Sequence, residues 1–202
     1  MIYMVLCARI SCLKSNLFIL PINLHYFMKL KPTDSDILGP YYRNGAPFRN
    51  VFVNAGDEGQ LLRVSGKVTD TEGNLIVGVL LDVWHADVNG RYDHETAEYK
   101  FRGKLRTAQN GEYSYSTILP GRYDNGTMMT PQGKKTVYRP GHIHYLISAQ
   151  GHAQLITQMY FENDPWNKFD PFYKQSLEVK LLANATGGLE TKFDIVLKPL
   201  DK

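Results

Sequence analysis

His142-Ile143-His144 places two imidazoles two residues apart at the start of a segment, His142 to Ala149 (HIHYLISA), whose Ile, Leu and Tyr content suits a strand. Side chains alternate along a strand, so both histidines project from one face about 6 to 7 Å apart, a spacing that suits two ligands on one metal ion. The preceding Arg139-Pro140-Gly141 fixes a turn that would deliver the pair into a cleft rather than along a sheet. An H-x-H on a strand is equally compatible with two ordinary half-buried histidines, so the pair needs company before it means a metal site.

Zinc requires further His, Cys or carboxylate ligands, and non-haem iron(II) oxygenases require two His and one carboxylate. No H-x-[DE] accompanies the pair, and Glu162 and Asp164 lie beyond the next strand. Two tyrosines stand in matching contexts instead, Gly90-Arg91-Tyr92 and Gly121-Arg122-Tyr123, each after a strand and inside a Gly-containing loop. A phenol with a pKa of about 10 ligates only where a highly charged cation stabilises the phenolate, and such hard donors favour iron(III) over iron(II). Packing is the commoner fate of a tyrosine in a β-protein, and this chain has 13 of them, so residue physics alone leaves the ligand set open. Trp84 reads as a core residue, and His85 after it as a histidine in a structural hydrogen bond. His94 and His152 read as loop histidines.

The elements that must hold these residues are strands. Leu61–Val68 and Leu75–Trp84 suggest a hairpin around TDTEGN, and Lys100–Thr107 and Glu112–Leu119 suggest a second around Asn110-Gly111. His142–Ala149 and Leu155–Phe161 flank the turn QGHA, Thr191–Leu197 forms a last strand, and 164–177 is the one place suited to a short helix. The expected class is an all-β antiparallel sandwich with long active-site loops and little helix. Net charge is +3 with no block of Lys and Arg, which gives no footprint for nucleic acid or anionic membrane and points to small-molecule partners. Cys7 and Cys12 both lie in the N-terminal segment, so the body carries no disulfide or thiolate site. Residues 1–27 are apolar but interrupted by Arg9, Lys14 and Pro21, without a basic lead or cleavage pattern. They are expected to be an extension before a domain spanning 28–202 that opens at Met28, and the protein to be cytoplasmic.

Three ordered segments add what spacing cannot supply: LRVSGKVTDTEGNLIVGVLLDVWHADVNGRYD, FRGKLRTAQNGEYSYSTILPGRY and RPGHIHYLISAQGHAQLITQMYFENDP. From about Thr33 through Pro165 the chain resembles the intradiol ring-cleavage dioxygenases, the family of catechol, hydroxyquinol and protocatechuate dioxygenases. The resemblance implies a mononuclear iron(III) held by Tyr92, Tyr123, His142 and His144, with Tyr92 and His142 equatorial and Tyr123 and His144 axial. It implies that a catechol-type substrate displaces Tyr123 and that dioxygen opens the ring to a cis,cis-muconate-type diacid. Arg139 would stabilise charge on the substrate ring, Gln158 would hydrogen-bond behind the ligands, and Tyr41 of Gly39-Pro40-Tyr41 would border the substrate. Some residues depart from the pattern: Gly141 stands where many relatives have Ala, Ala108 where an Asp often precedes the turn, and GRYDNGTMM follows no familiar pocket. Too few residues precede the first strand for the helical dimerisation region of the catechol branch. That implies a single protocatechuate-type subunit working in a homo- or hetero-oligomer. The alternatives are a non-catalytic binding module with tyrosines as stacking platforms, an inactive subunit of a dioxygenase assembly, and a zinc hydrolase.

Overall fold

The computed structural model describes residues 29–200, and the expected extension over residues 1–27, with both cysteines, lies outside them. Twelve strands follow one another among the described residues: β1 (Leu61–Asp70), β2 (Leu80–His85), β3 (Arg102–Arg106), β4 (Glu112–Ile118), β5 (Tyr123–Thr130), β6 (Gly133–Arg139), β7 (His142–Ser148), β8 (Leu155–Phe161), β9 (Glu178–Val179), β10 (Leu182–Ala183), β11 (Leu189–Lys192) and β12 (Ile195–Leu197). Among the described residues helix is confined to two 3-10 turns, Asn167–Phe169 and Gln175–Leu177, where the sequence suggested one short helix. None of the helices among the described residues is long and apolar enough to cross a membrane.

Two five-stranded sheets build the sandwich. In the first, β1 pairs antiparallel with β4 and parallel with β11 and β12, and β10 joins β11; the second runs β3-β2-β7-β8-β9. The all-β sandwich expected from the sequence stands, with parallel pairings at the β1–β11, β1–β12 and β8–β9 contacts. The last expected strand is two, because the ladder with β1 is interrupted at Phe193-Asp194, where the Lys67 N–H donates to the Asp194 carboxylate, and resumes in the same register in β12.

Both expected hairpins are corrected. After β1 only a Thr69–Leu75 bridge forms before Gly78, at φ +70, turns the chain across to the second sheet, where Val79 and Leu81 are fully buried. The turn at Asn110-Gly111 likewise joins β3 of one sheet to β4 of the other, so these two segments pair with β2 and β1 and not with each other. Local alternation shows that a segment is a strand. Which partner it takes is decided by where its apolar face finds cover, and in both cases that cover is the opposite sheet.

The alternation of β2 and β7 places the site. Leu81, Val83, Ile143, Tyr145 and Ile147 point between the sheets into the main core, each fully buried. Removing each such side chain from water is worth roughly 1.5–3 kcal/mol. The residues between them, Asp82, Trp84, His142 and His144, point to the outer face, which is also buried. A second apolar cluster of Trp84, Ala86 and Tyr92, packed against Leu38, Tyr41, Tyr42 and Tyr123, covers that face.

Candidate metal centre

The H-x-H pair lies on β7 as the alternation requires, with His142 and His144 2% and 1% exposed. Their Nε2 atoms are 3.1 Å apart, and the hydroxyl oxygen of Tyr92 lies 3.3 Å from the first and 3.2 Å from the second. Three lone-pair-bearing atoms thus form a nearly equilateral triangle at the centre of the covered face.

Glycine closes the loops on either side. A Cβ on Gly90 (φ +78) would fall 2.3 Å from the Arg122 carbonyl oxygen, and one on Gly121 would fall 2.0 Å from that of Val88. The two Gly-Arg-Tyr motifs interlock at these glycines, which sets Tyr92 and Tyr123 side by side with ring centres 6.0 Å apart. Asp87 ties the junction, its carbonyl accepting from Gly90 and Gly121 and its carboxylate from Asn89 and Arg91.

Tyr123 stands apart from the triangle. Its ring centre is 5.9 Å from that of His142, and among the described residues its hydroxyl accepts a hydrogen bond from Arg139 Nη1 at 3.4 Å. Arg139 is 3% exposed and its other donors are saturated: Nε to Asp170 Oδ2 at 2.8 Å, and Nη2 to Gln158 Oε1 at 2.8 Å and to the Tyr160 hydroxyl at 3.0 Å. Gln158, fully buried on β8 opposite His144, also donates from Nε2 to the Ile37 carbonyl at 3.2 Å. Burial works against the Arg139 charge, but Tyr160 and Asp170 keep its pKa above the ordinary value, so the guanidinium is a permanent cation.

Sequence reasoning missed Asp170, whose side chain is fully buried in an ion pair with Arg139. The signal was present: a carboxylate inside Phe169-Asp170-Pro171-Phe172 can be buried only against a cation. It also missed Tyr160, which bridges Arg139, Gln158 and Asp36. His85 is structural as expected, its ring held between the Ala86 carbonyl at 2.7 Å and the Thr117 hydroxyl at 2.6 Å. His94 is exposed and reaches the site only through Tyr41, ring centre to ring centre 5.2 Å. Tyr41 itself stacks on Tyr92 at 4.3 Å and meets Tyr123 edge-on.

Protonation states suit ligation. Burial, reinforced by the Arg139 charge, pulls the pKa of His142 down to about 3, and burial followed by the neighbouring His142 takes His144 well below its usual value. Both imidazoles are therefore neutral. His142 Nδ1 donates to the Pro140 carbonyl at 2.7 Å, which leaves a lone pair on Nε2 inside the triangle. Burial and then Tyr123 raise the Tyr92 pKa, while Arg139 and Arg102 oppose them. Atoms about 2.0–2.1 Å from one metal ion and roughly 100° apart stand about 3.2 Å from each other, which is the edge of this triangle. Among the described residues no three His, Cys, Asp or Glu converge on a metal site, so the donor set is completed only by tyrosine. That chemistry fits iron(III) and disfavours zinc.

A β-sandwich whose outer face buries a mixed tyrosine and histidine donor cluster defines the class of protein. The family model described as Dioxygenase matches residues 37–199. Chlorocatechol 1,2-dioxygenase of Rhodococcus opacus is 33% identical over 167 residues, covering 75% of this chain and 65% of that protein. Hydroxyquinol 1,2-dioxygenase of Rhizobium sp. is 30% identical over 159 residues, 72% of this chain and 54% of that protein. Among solved structures, the dioxygenase domain of a dioxygenase carbohydrate-binding protein fusion from Streptomyces sp. SirexAA-E superimposes with a TM-score of 0.72 at 34% identity, over 84% of this chain and 100% of that one. The 3-chlorocatechol 1,2-dioxygenase from Rhodococcus opacus 1CP gives 0.75 at 31% identity, over 85% and 74%. The chain belongs to the intradiol ring-cleavage dioxygenase family. It spans about half to two thirds of the length of the curated relatives it matches.

Proposed function

We propose that this protein cleaves a catechol-type aromatic with dioxygen between the two hydroxyl-bearing carbons, at one iron(III) held by Tyr92, Tyr123, His142 and His144. The product is a cis,cis-muconate-type diacid that retains both oxygen atoms of dioxygen. The observation that carries the reading is the buried triangle of Tyr92 oxygen and two neutral imidazole nitrogens at 3.1–3.3 Å. Iron(III) held by these four residues would supply a Lewis acid that draws electron density from the substrate ring.

The chain's own groups do the rest. Tyr123 is placed to move a proton: its oxygen would take one from a substrate hydroxyl while accepting from Arg139 Nη1, the partner it has here. Arg139 presents a fixed cation on that side of the cluster, locked by Asp170, Gln158 and Tyr160, and stabilises negative charge developing on the substrate ring without having to reorient. Tyr41 covers Tyr92 and Tyr123 and borders the bound ring.

Purified protein is expected to hold one iron per chain, to be red-brown from tyrosinate-to-iron(III) charge transfer, and to convert catechol or a substituted catechol to the intradiol product. A protein that stays colourless after reconstitution with iron(III), or that yields an extradiol aldehyde product, overturns the assignment.

A further inference from the structure

Ligating histidines normally donate the second ring nitrogen to a carbonyl or carboxylate, which fixes the tautomer and the ring plane. His142 does so through Pro140. His144 does not: its Nδ1 is buried without a hydrogen-bond partner. Its ring lies instead against the indole of Trp84, with centres 4.8 Å apart and planes within 4°. Trp84 and His144 are direct cross-strand partners on β2 and β7, and the indole nitrogen is itself buried and unpartnered, so nothing but stacking joins the two rings. Tyr92 repeats the pattern. Its hydroxyl meets only the two imidazole nitrogens among the described residues, and its ring lies under Tyr41 at 4.3 Å and 18°.

One short segment braces both stacks. Gly39-Pro40-Tyr41-Tyr42 lays Tyr41 on Tyr92 and turns Tyr42 edge-on to Trp84 at 5.0 Å, with the Tyr42 hydroxyl donating to Asp82 at 3.1 Å. Gly39 passes so close to His144 that a Cβ there would sit 3.3 Å from its Cε1.

We infer that Trp84 and Tyr41 are positioning residues that hold the His144 and Tyr92 rings in the metal centre by stacking, in the place that hydrogen bonds occupy for His142 and Tyr123. The inference rests on the iron reading above. Loss of an outer partner of a metal ligand costs about 10- to 100-fold in metal affinity. Two pairs of variants of the iron-loaded protein test it, with iron(III) affinity read by chelator competition and the charge-transfer maximum by absorption. Trp84→Leu keeps the site apolar but removes the stack, and is expected to weaken iron binding by about 10-fold or more, whereas Trp84→Phe keeps a ring and recovers most of it. Tyr41→Leu is expected to shift the charge-transfer maximum, and Tyr41→Phe to leave it in place. Tyr41 is only half-buried, so this pair remains readable if Trp84→Leu does not fold. Leucine variants with wild-type affinity and spectrum overturn the inference while leaving the iron site intact, and so do phenylalanine variants that fall as far as leucine. A wild-type protein that takes up no iron(III) overturns the metal reading and this inference with it.

Discussion

Two residues apart on one strand, His142 and His144 are held by different forces, and the difference divides the whole centre. On one side His142 and Tyr123 are fixed by directional polar contacts to Pro140 and Arg139, and Arg139 is locked in turn by Asp170, Gln158 and Tyr160. On the other side His144 and Tyr92 are fixed by ring faces, Trp84 and Tyr41, inside a largely aromatic cluster. Hydrogen bonds define direction and fail sharply when one partner is lost. Stacking tolerates small displacements and degrades gradually. The polar side is where the proposed mechanism needs a charge in a defined place and a tyrosine that can change partners. The stacked side is where it needs two ligands that stay.

The largest effect is expected on the polar side. Arg139→Met leaves the fully buried Asp170 carboxylate without its cation, and should destabilise the protein by about 3–5 kcal/mol in denaturant unfolding as well as suppress turnover. A change below about 1 kcal/mol would contradict a dependence of buried Asp170 on the Arg139 cation. Replacing both as Arg139→Met with Asp170→Leu should recover part of the loss.

Next come the tyrosines. Tyr92→Phe removes an oxygen from the triangle and should abolish tight iron binding, whereas Tyr123→Phe should keep the iron, change the colour and slow turnover. Equal iron loss in the two variants would contradict the distinct places the structure gives them.

An effect confined to acid pH concerns the buried histidines of the metal-free protein. His142 titrates at about 3 and His85 at about 4 when folded, both because burial disfavours the charged ring. Unfolded histidine accepts its proton at about 6.5, so these residues oppose folding only below that pH. Stability should be independent of them above about pH 6.5, then fall by roughly 1.4 kcal/mol per unit for each as the pH drops toward their folded values. A flat profile of unfolding free energy between pH 6.5 and about 4.5 would contradict the burial of neutral rings.

Smallest of all, His94→Ala, exposed and with its ring tilted against Tyr41 at 5.2 Å, should alter stability by no more than about 0.5 kcal/mol and leave iron content unchanged. A loss of iron there would extend the stacked half of the centre outward.

How much of this was legible without a structure differs from residue to residue. Alternation along HIHYLIS placed both imidazoles on one face of β7, a local pattern that one-dimensional spacing preserves, whereas Tyr92, Tyr123, Arg139 and Gln158 were named together only by the family resemblance of the ordered motifs. Strand pairing was less legible. Segments that read as hairpins cross between sheets at Gly78 and at the Asn110-Gly111 turn, since periodicity reports which face of a strand is apolar but not which sheet will cover it. The β5–β6 hairpin, mostly exposed and carrying Met128 and Met129, left no apolar alternation to read.

By itself the sequence determined that His142 and His144 share one strand face and that the chain belongs to the family, since these depend on residue identity and order. Tertiary structure alone decided that Tyr92 completes the triangle while Tyr123 leans on Arg139, that Asp170 balances that cation, and that His144 is held by an indole face. Those outcomes depend on distances between residues tens of positions apart, which are set by how β2, β7 and β8 align and how the two Gly-Arg-Tyr loops interlock.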